Sequence, residues 1–81
     1  MKNIIDIRSR DKYNTNHIPG AINIESYELL NNPNKYLKRE EVYYLYCTSG
    51  YTSGNVSNKL NLLGFNTVNI DGGFNNYLLR K

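Results

Sequence analysis

Chemistry in this chain gathers around one thiol. Cys47 is the only cysteine among 81 residues. It follows the β-prone run Val42–Tyr46 and opens the stretch Thr48-Ser49-Gly50-Tyr51-Thr52-Ser53-Gly54, after which a helical pattern starts at about Asn55. A thiol attacks as thiolate, and its pKa falls where free backbone N–H groups and the positive end of a helix dipole face it. A glycine-containing turn that leads into a helix can curl successive N–H groups inward as an anion nest. Gly50 and Gly54 relax the backbone for such curling. Thr48, Ser49, Thr52 and Ser53 add hydroxyls, and Ser53 also suits the N-cap of the following helix. The loop holds no Lys, Arg, Asp or Glu, so an anion inside it is held by amides and hydroxyls. The competing reading makes Cys47 a small buried hydrophobe at a strand end.

The elements that must position this loop follow from the hydrophobic pattern. Asn3–Arg8 reads as a buried strand with Ile5 and Ile7 on one face and Asp6 and Arg8 on the other. A carboxylate there needs partners, and Asp6 is expected to accept from backbone or hydroxyl groups at the carboxyl edge of the sheet. Ser9–Asn16 is polar and irregular, with at most one helical turn around Asp11–Tyr13. Pro19-Gly20 marks a turn, and His17 is read as a structural histidine bonded to it. Ile22–Ile24 is a short strand and Glu25–Asn31 a short helix, broken at Asn32-Pro33-Asn34. Lys35–Glu41 forms a further turn with Tyr36 and Leu37 inward. Val42–Tyr46 is the central strand. Val56, Leu60, Leu62 and Leu63 share an apolar helix face that ends at Gly64 as the C′ residue, with Phe65 closing the core. Asn66–Ile70 is another strand, Asp71-Gly72-Gly73 a turn, and Phe74–Leu79 a last helix with Phe74, Tyr77 and Leu78 inward. Strands alternating with helices at this spacing imply a parallel sheet with right-handed crossovers. Ligands in such a sheet bind beyond the strands' carboxyl ends, where Cys47 lies.

Composition narrows the function classes. The length allows one domain, too small for great stability. One cysteine forms no internal disulfide, and His17, the only histidine, leaves no Cys/His cluster for zinc. A reducing compartment, the cytoplasm, suits such a chain. No secretory signal is visible and no apolar run approaches the roughly 20 residues that cross a bilayer. The net charge is +3, with scattered basic residues, which argues against nucleic acid as a partner and suits small anions.

Three segments, in order and at sensible spacing, resemble the rhodanese-like superfamily over almost the whole chain. They are Ile5-Asp6-Ile7-Arg8, like the family's Asp-x-Arg strand end; His17-Ile18-Pro19-Gly20-Ala21, nearly the family's His-Ile-Pro-Gly-Ala; and Cys47–Ser53 followed by Leu60-x-x-x-Gly64-Phe65 and Asp71-Gly72-Gly73-Phe74. The resemblance implies an α/β three-layer sandwich, a short central parallel sheet flanked by helices. It implies one domain over 1–81, lacking the strand-and-helix segment that usually precedes the Asp-x-Arg strand. It implies a sulfurtransferase working by a ping-pong cycle: Cys47 takes a sulfane sulfur from thiosulfate or another persulfide or polysulfide donor, carries it as a persulfide, and passes it to cyanide, a thiol or a protein acceptor. Thr48, Ser49, Gly50, Tyr51, Thr52 and Ser53 then bind substrate, and Asp6 and Arg8 support the loop. No cofactor or metal enters, and the expected state is a monomer without membrane or nucleic-acid partners.

The chain departs from the family in the loop. Many thiosulfate-using relatives carry Arg or Lys where Tyr51 and Thr52 stand here. Dual-specificity phosphatases and arsenate reductases of the same fold carry Arg at the sixth position after the cysteine, which here is Ser53; without that fork phosphate lacks a bidentate partner. A second reading, from a different class, is a non-catalytic binding or regulatory module that keeps the fold. It expects a buried, alkylation-resistant Cys47.

Overall fold

The computed structural model describes residues 2–81. Four parallel strands form the sheet: β1 (Ile4–Asp6), β2 (Ile22–Asn23), β3 (Val42–Tyr46) and β4 (Asn66–Asn69). They lie in the order β2-β1-β3-β4, with Asp6 level with Tyr46 and Tyr44 level with Val68. Helices α1 (Arg10–Thr15), α2 (Ser26–Asn31), α3 (Pro33–Tyr36), α4 (Tyr51–Leu62) and α5 (Gly73–Leu79) fill the connections. Alternation along the strands sends successive side chains to opposite faces. On one face Ile5, Ile7, Leu45 and Cys47 meet Leu29 of α2 and Val56 and Leu60 of α4. On the other, Ile4 and Tyr46 meet Ala21 and Phe74 of α5. The sheet is therefore the middle of three layers, as expected. Leu29, Leu45 and Leu60 are fully buried, each stabilising by roughly 1.5–3 kcal/mol relative to exposure.

Several boundaries differ from the sequence expectation, each for a local reason. The first strand ends at Asp6, not Arg8, because the Arg8 N–H turns to the Asp6 carboxylate at 2.9 Å. The polar segment after it is a six-residue helix, α1, capped by Ser9 Oγ accepting from the Lys12 N–H at 3.3 Å. Pro33 breaks α2 but also begins α3 at its first position, where a missing N–H costs nothing. His17 does not bond the Pro19-Gly20 turn. Its Nδ1 donates to the Tyr13 carbonyl at 2.8 Å, its ring stacks on Tyr13, and the turn closes by itself through Ala21 N–H to Ile18 O.

The end of α4 matches expectation. Phe65 N–H donates to Leu60 O and Gly64 N–H to Asn61 O, while Leu60 and Phe65 share the core, the Schellman arrangement. The expected apolar face does not extend as far. The buried stripe is Ser53, Val56, Ser57 and Leu60, the i, i+3, i+4, i+7 row of one helix face. Leu62 lies off that row and Leu63 lies past the last turn, so both are exposed. Leu78 in α5 likewise faces solvent.

Candidate active site

The carboxyl ends of β1 and β3 bring the site together. β3 delivers Cys47 one residue past its end, and α4 starts at Tyr51, four residues earlier than expected. Ser53 is therefore inside the first turn and is not the N-cap. That place belongs to Gly50, whose φ of +97° lies in the left-handed region that glycine enters without strain. A helix start leaves orphan N–H groups that a capping side chain normally satisfies. Here a sulfur does so: Cys47 Sγ accepts from the Gly50 N–H at 3.2 Å and the Ser53 N–H at 3.3 Å. The Ser53 hydroxyl lies 3.3 Å from the same atom. Burial pushes the Cys47 thiol up, but the Ser53 hydroxyl and the Ser53, Gly50 and Ser49 amides outweigh it, leaving its pKa below the ordinary value.

A second helix end holds the loop from behind. The Phe74 N–H of α5 donates to Cys47 O at 2.9 Å, and the Asn75 N–H donates to Thr48 O at 3.0 Å. With those carbonyls drawn towards α5, the amides of the loop are left to face the sulfur. The approach is close enough that a Cβ on Gly73 would strike Cys47 O and lie 3.0 Å from Gly50 N. The Gly72-Gly73 pair, expected only to turn the chain, is thus part of the cradle. On the other side Asn69 of β4 donates from Nδ2 to Gly50 O at 3.1 Å and accepts the Ser53 hydroxyl at Oδ1 at 2.5 Å.

Cys47 is buried, with 7% of its surface exposed, yet it lines a cleft of about 260 Å³ together with Ile7, Arg8, Lys12, Thr48, Ser49 and Thr52. Thr48, Ser49 and Thr52 therefore stand at the mouth, while Gly50 and Ser53 supply donors beneath. Tyr51 does neither: the residue is 77% exposed and outside the cleft lining. Asp6 and Arg8 make no hydrogen bond to residues 47–54 among the described residues. Asp6 is fully buried and takes Arg8 as a bidentate partner, at 3.0 Å from Nε and 2.7 Å from Nη2, plus the Tyr46 hydroxyl at 2.7 Å. Arg8 lies over the Phe74 ring at 4.1 Å. The pair reaches the loop through Tyr46, which precedes Cys47, and Phe74, whose N–H holds it. Lys12 carries no local signal in the sequence: it sits on α1, and only the fold brings it to the cleft that Cys47 lines.

The match to known proteins settles the family. The model of the Rhodanese-like domain matches residues 1–80. The chain is a rhodanese-like domain. This rhodanese-like domain is 34% identical over 74 residues to a tRNA sulfurtransferase of Desulfurococcus amylolyticus, covering 91% of this chain and 14% of that protein. It is 35% identical over 72 residues to the putative sulfurtransferase YtwF of Bacillus subtilis, covering 86% of this chain and 67% of that one. Among solved structures, SSP1007 of Staphylococcus saprophyticus superposes with a TM-score of 0.87 at 34% identity, covering 94% of this chain and 75% of that one. The human single-domain sulfurtransferase TSTD1 shares the fold at a TM-score of 0.87 and 23% identity, covering 99% of this chain and 83% of that one. No helix among the described residues is long and apolar enough to cross a membrane.

Proposed function

We propose that the chain is a sulfurtransferase whose Cys47 carries one sulfane sulfur between a donor and an acceptor. The observation that supports this most is the convergence of two amides and a hydroxyl on Cys47 Sγ at the floor of a cleft whose charged walls, Arg8 and Lys12, are both cationic. The names of the curated relatives agree with that class of reaction. In the first half, the Cys47 thiolate attacks the outer sulfur of thiosulfate. An S–S bond forms, the donor's S–S bond breaks, and sulfite leaves with the electron pair. The anionic outer sulfur then occupies the cleft, where preorganised N–H and O–H donors suit it. In the second half, cyanide or a thiolate attacks that outer sulfur, and Cys47 leaves again as thiolate. Lys12 takes the part of the cation that the loop lacks, favouring an anionic donor by charge. A polysulfide or a protein persulfide serves in the same cycle.

Incubation with thiosulfate or polysulfide, followed by intact mass measurement, is expected to show a gain of one sulfur atom that Cys47→Ser abolishes. Absence of an adduct with every sulfane donor, while iodoacetamide still labels the thiol, would refute the proposal. The small exposure of Cys47 favours the alternative of a non-catalytic module, and that reading predicts a thiol that resists iodoacetamide as well.

A further inference from the structure

Ser53 has one hydroxyl proton and two claimants for it. Its Oγ lies 2.5 Å from Asn69 Oδ1 and 3.3 Å from Cys47 Sγ. The orientation of the Asn69 amide is fixed, because its other end faces Gly50 O, which only accepts. Its carbonyl oxygen must therefore face Ser53, and neither Oδ1 nor a thiolate can donate. Space for this arrangement is built in: a Cβ on Gly54 would sit 3.3 Å from Asn69 Nδ2.

We propose that Asn69 is a positioning residue of the thiol site, holding the Ser53 proton while Cys47 is neutral and releasing it to Sγ when the sulfur is anionic. In the neutral state Ser53 O–H donates to Asn69 Oδ1, and a Ser53 lone pair accepts the Cys47 S–H. When that proton leaves to solvent, the Ser53 hydroxyl rotates and donates to the thiolate, and Asn69 Oδ1 gives up its bond. When the sulfur becomes neutral again, by protonation or by forming an S–S bond, the hydroxyl returns to Asn69. Asn69 thus opposes ionisation through Ser53 while aiding it through Gly50, whose carbonyl the same side chain holds and whose N–H donates to the sulfur. The charged side chains that line the thiol cleft are Arg8 and Lys12; the loop and first turn of α4 add only the exposed Tyr51 phenol, and the β4–α5 turn carries Asp71. None of these is altered by substitution at 53 or 69.

The inference rests on Cys47 as the reacting group, but its test needs no sulfur donor, so it can fail while sulfur transfer stands, and the reverse. The thiol pKa is read from the pH dependence of iodoacetamide labelling in the wild type, Ser53→Ala, Asn69→Ala and the double variant. Asn69→Ala is expected to make the thiol more acidic with Ser53 present than with Ser53 absent, by about three- to tenfold in acid constant, the worth of one neutral hydrogen bond. A loop merely loosened by Asn69→Ala shifts both backgrounds alike; equal shifts overturn the proposal. A measurement on the unaltered chain stands independently of how the variants fold. The Asn69 side-chain carbonyl carbon resonance is expected to titrate with the Cys47 thiol, and a flat profile through that pKa also overturns the proposal.

Discussion

Tyr46 and Cys47 are neighbours in sequence and opposites in design. Tyr46 ends β3 and Cys47 follows it, so that the two serve opposite faces of the sheet. Tyr46 joins a closed polar cluster. Its hydroxyl donates to Asp6 and accepts from the Ile18 N–H at 3.0 Å; Asp6 is paired with Arg8; Arg8 also donates to Asn16 O at 2.7 Å. Each charge there has its counter-charge. Cys47 joins an open cluster, in which donors converge on one sulfur with no carboxylate or ammonium bonded to it. The first cluster spends its polarity on rigidity. The second keeps donors aimed at a place where negative charge can appear, and the first holds the wall behind it.

The comparison is broken most severely at Asp6. Asp6→Ala leaves the Arg8 guanidinium buried without its carboxylate and the Tyr46 hydroxyl without its acceptor. A loss of about 3–5 kcal/mol in urea unfolding is expected, while the Cys47 pKa in the fraction that remains folded moves by far less, and downward, because Arg8 in the cleft loses its counter-charge. A thiol pKa that moves as far as the stability does would mean that the two clusters are one.

Gly73→Ala attacks the junction between them. Its φ of +55° and the contact of a new Cβ with Cys47 O both oppose the change. The left-handed backbone and the overpacking together are expected to cost roughly 2–4 kcal/mol. Because α5 must back away from Cys47 O and Thr48 O, sulfur loading should fall as well. Stability lost with loading unchanged would show that the loop keeps its shape without α5.

These two sites also divide what was legible in the sequence from what was not. Cys47, the alternating strands and the Gly64 stop could be read because each depends on neighbours within a few residues. The start of α4 could not. Sequence rules look for an oxygen-bearing cap immediately before the helix, whereas the acceptor is the sulfur three residues before Gly50. Gly73 carried a visible signal, two glycines before a helix, but turn chemistry alone explains such a pair; only the approach of α5 to β3 reveals its second purpose. Asn69 and Lys12 had no local signal, since their partners come from other elements. Leu62 and Leu63 resemble core residues by apolar type, but the 100° step carries Leu62 off the buried row and Leu63 lies past the last turn.

The smallest expected effect is the sharpest, because the two clusters respond to pH with opposite sign. Burial, with hydrogen bonding and charge from Asp6, raises the Tyr46 pKa above its ordinary 10.0, despite the opposing Ile18 N–H and Arg8. The folded chain therefore holds that proton more tightly than the unfolded chain. Its contribution is complete below about pH 10 and is lost as pH rises through the folded value. The Cys47 pKa lies below its ordinary 9.0, so the sign reverses: that contribution is present above pH 9 and is lost as pH falls through the folded thiol value. Unfolding free energy followed with pH should rise with pH just below 9 and fall above 10. Cys47→Ser should remove the rise and leave the fall; Tyr46→Phe should leave the rise and shrink the fall, at a lower baseline, the remainder coming from Tyr27 and Tyr36, whose pKa values are raised by hydrogen bonds to Glu25 and Glu28. Ser53→Ala, which deletes one donor to the thiolate but leaves both amides, should shrink the rise and shift the thiol pKa upward by up to about one unit. A rise that survives Cys47→Ser unchanged would mean that the converging donors do not stabilise an anion on this sulfur.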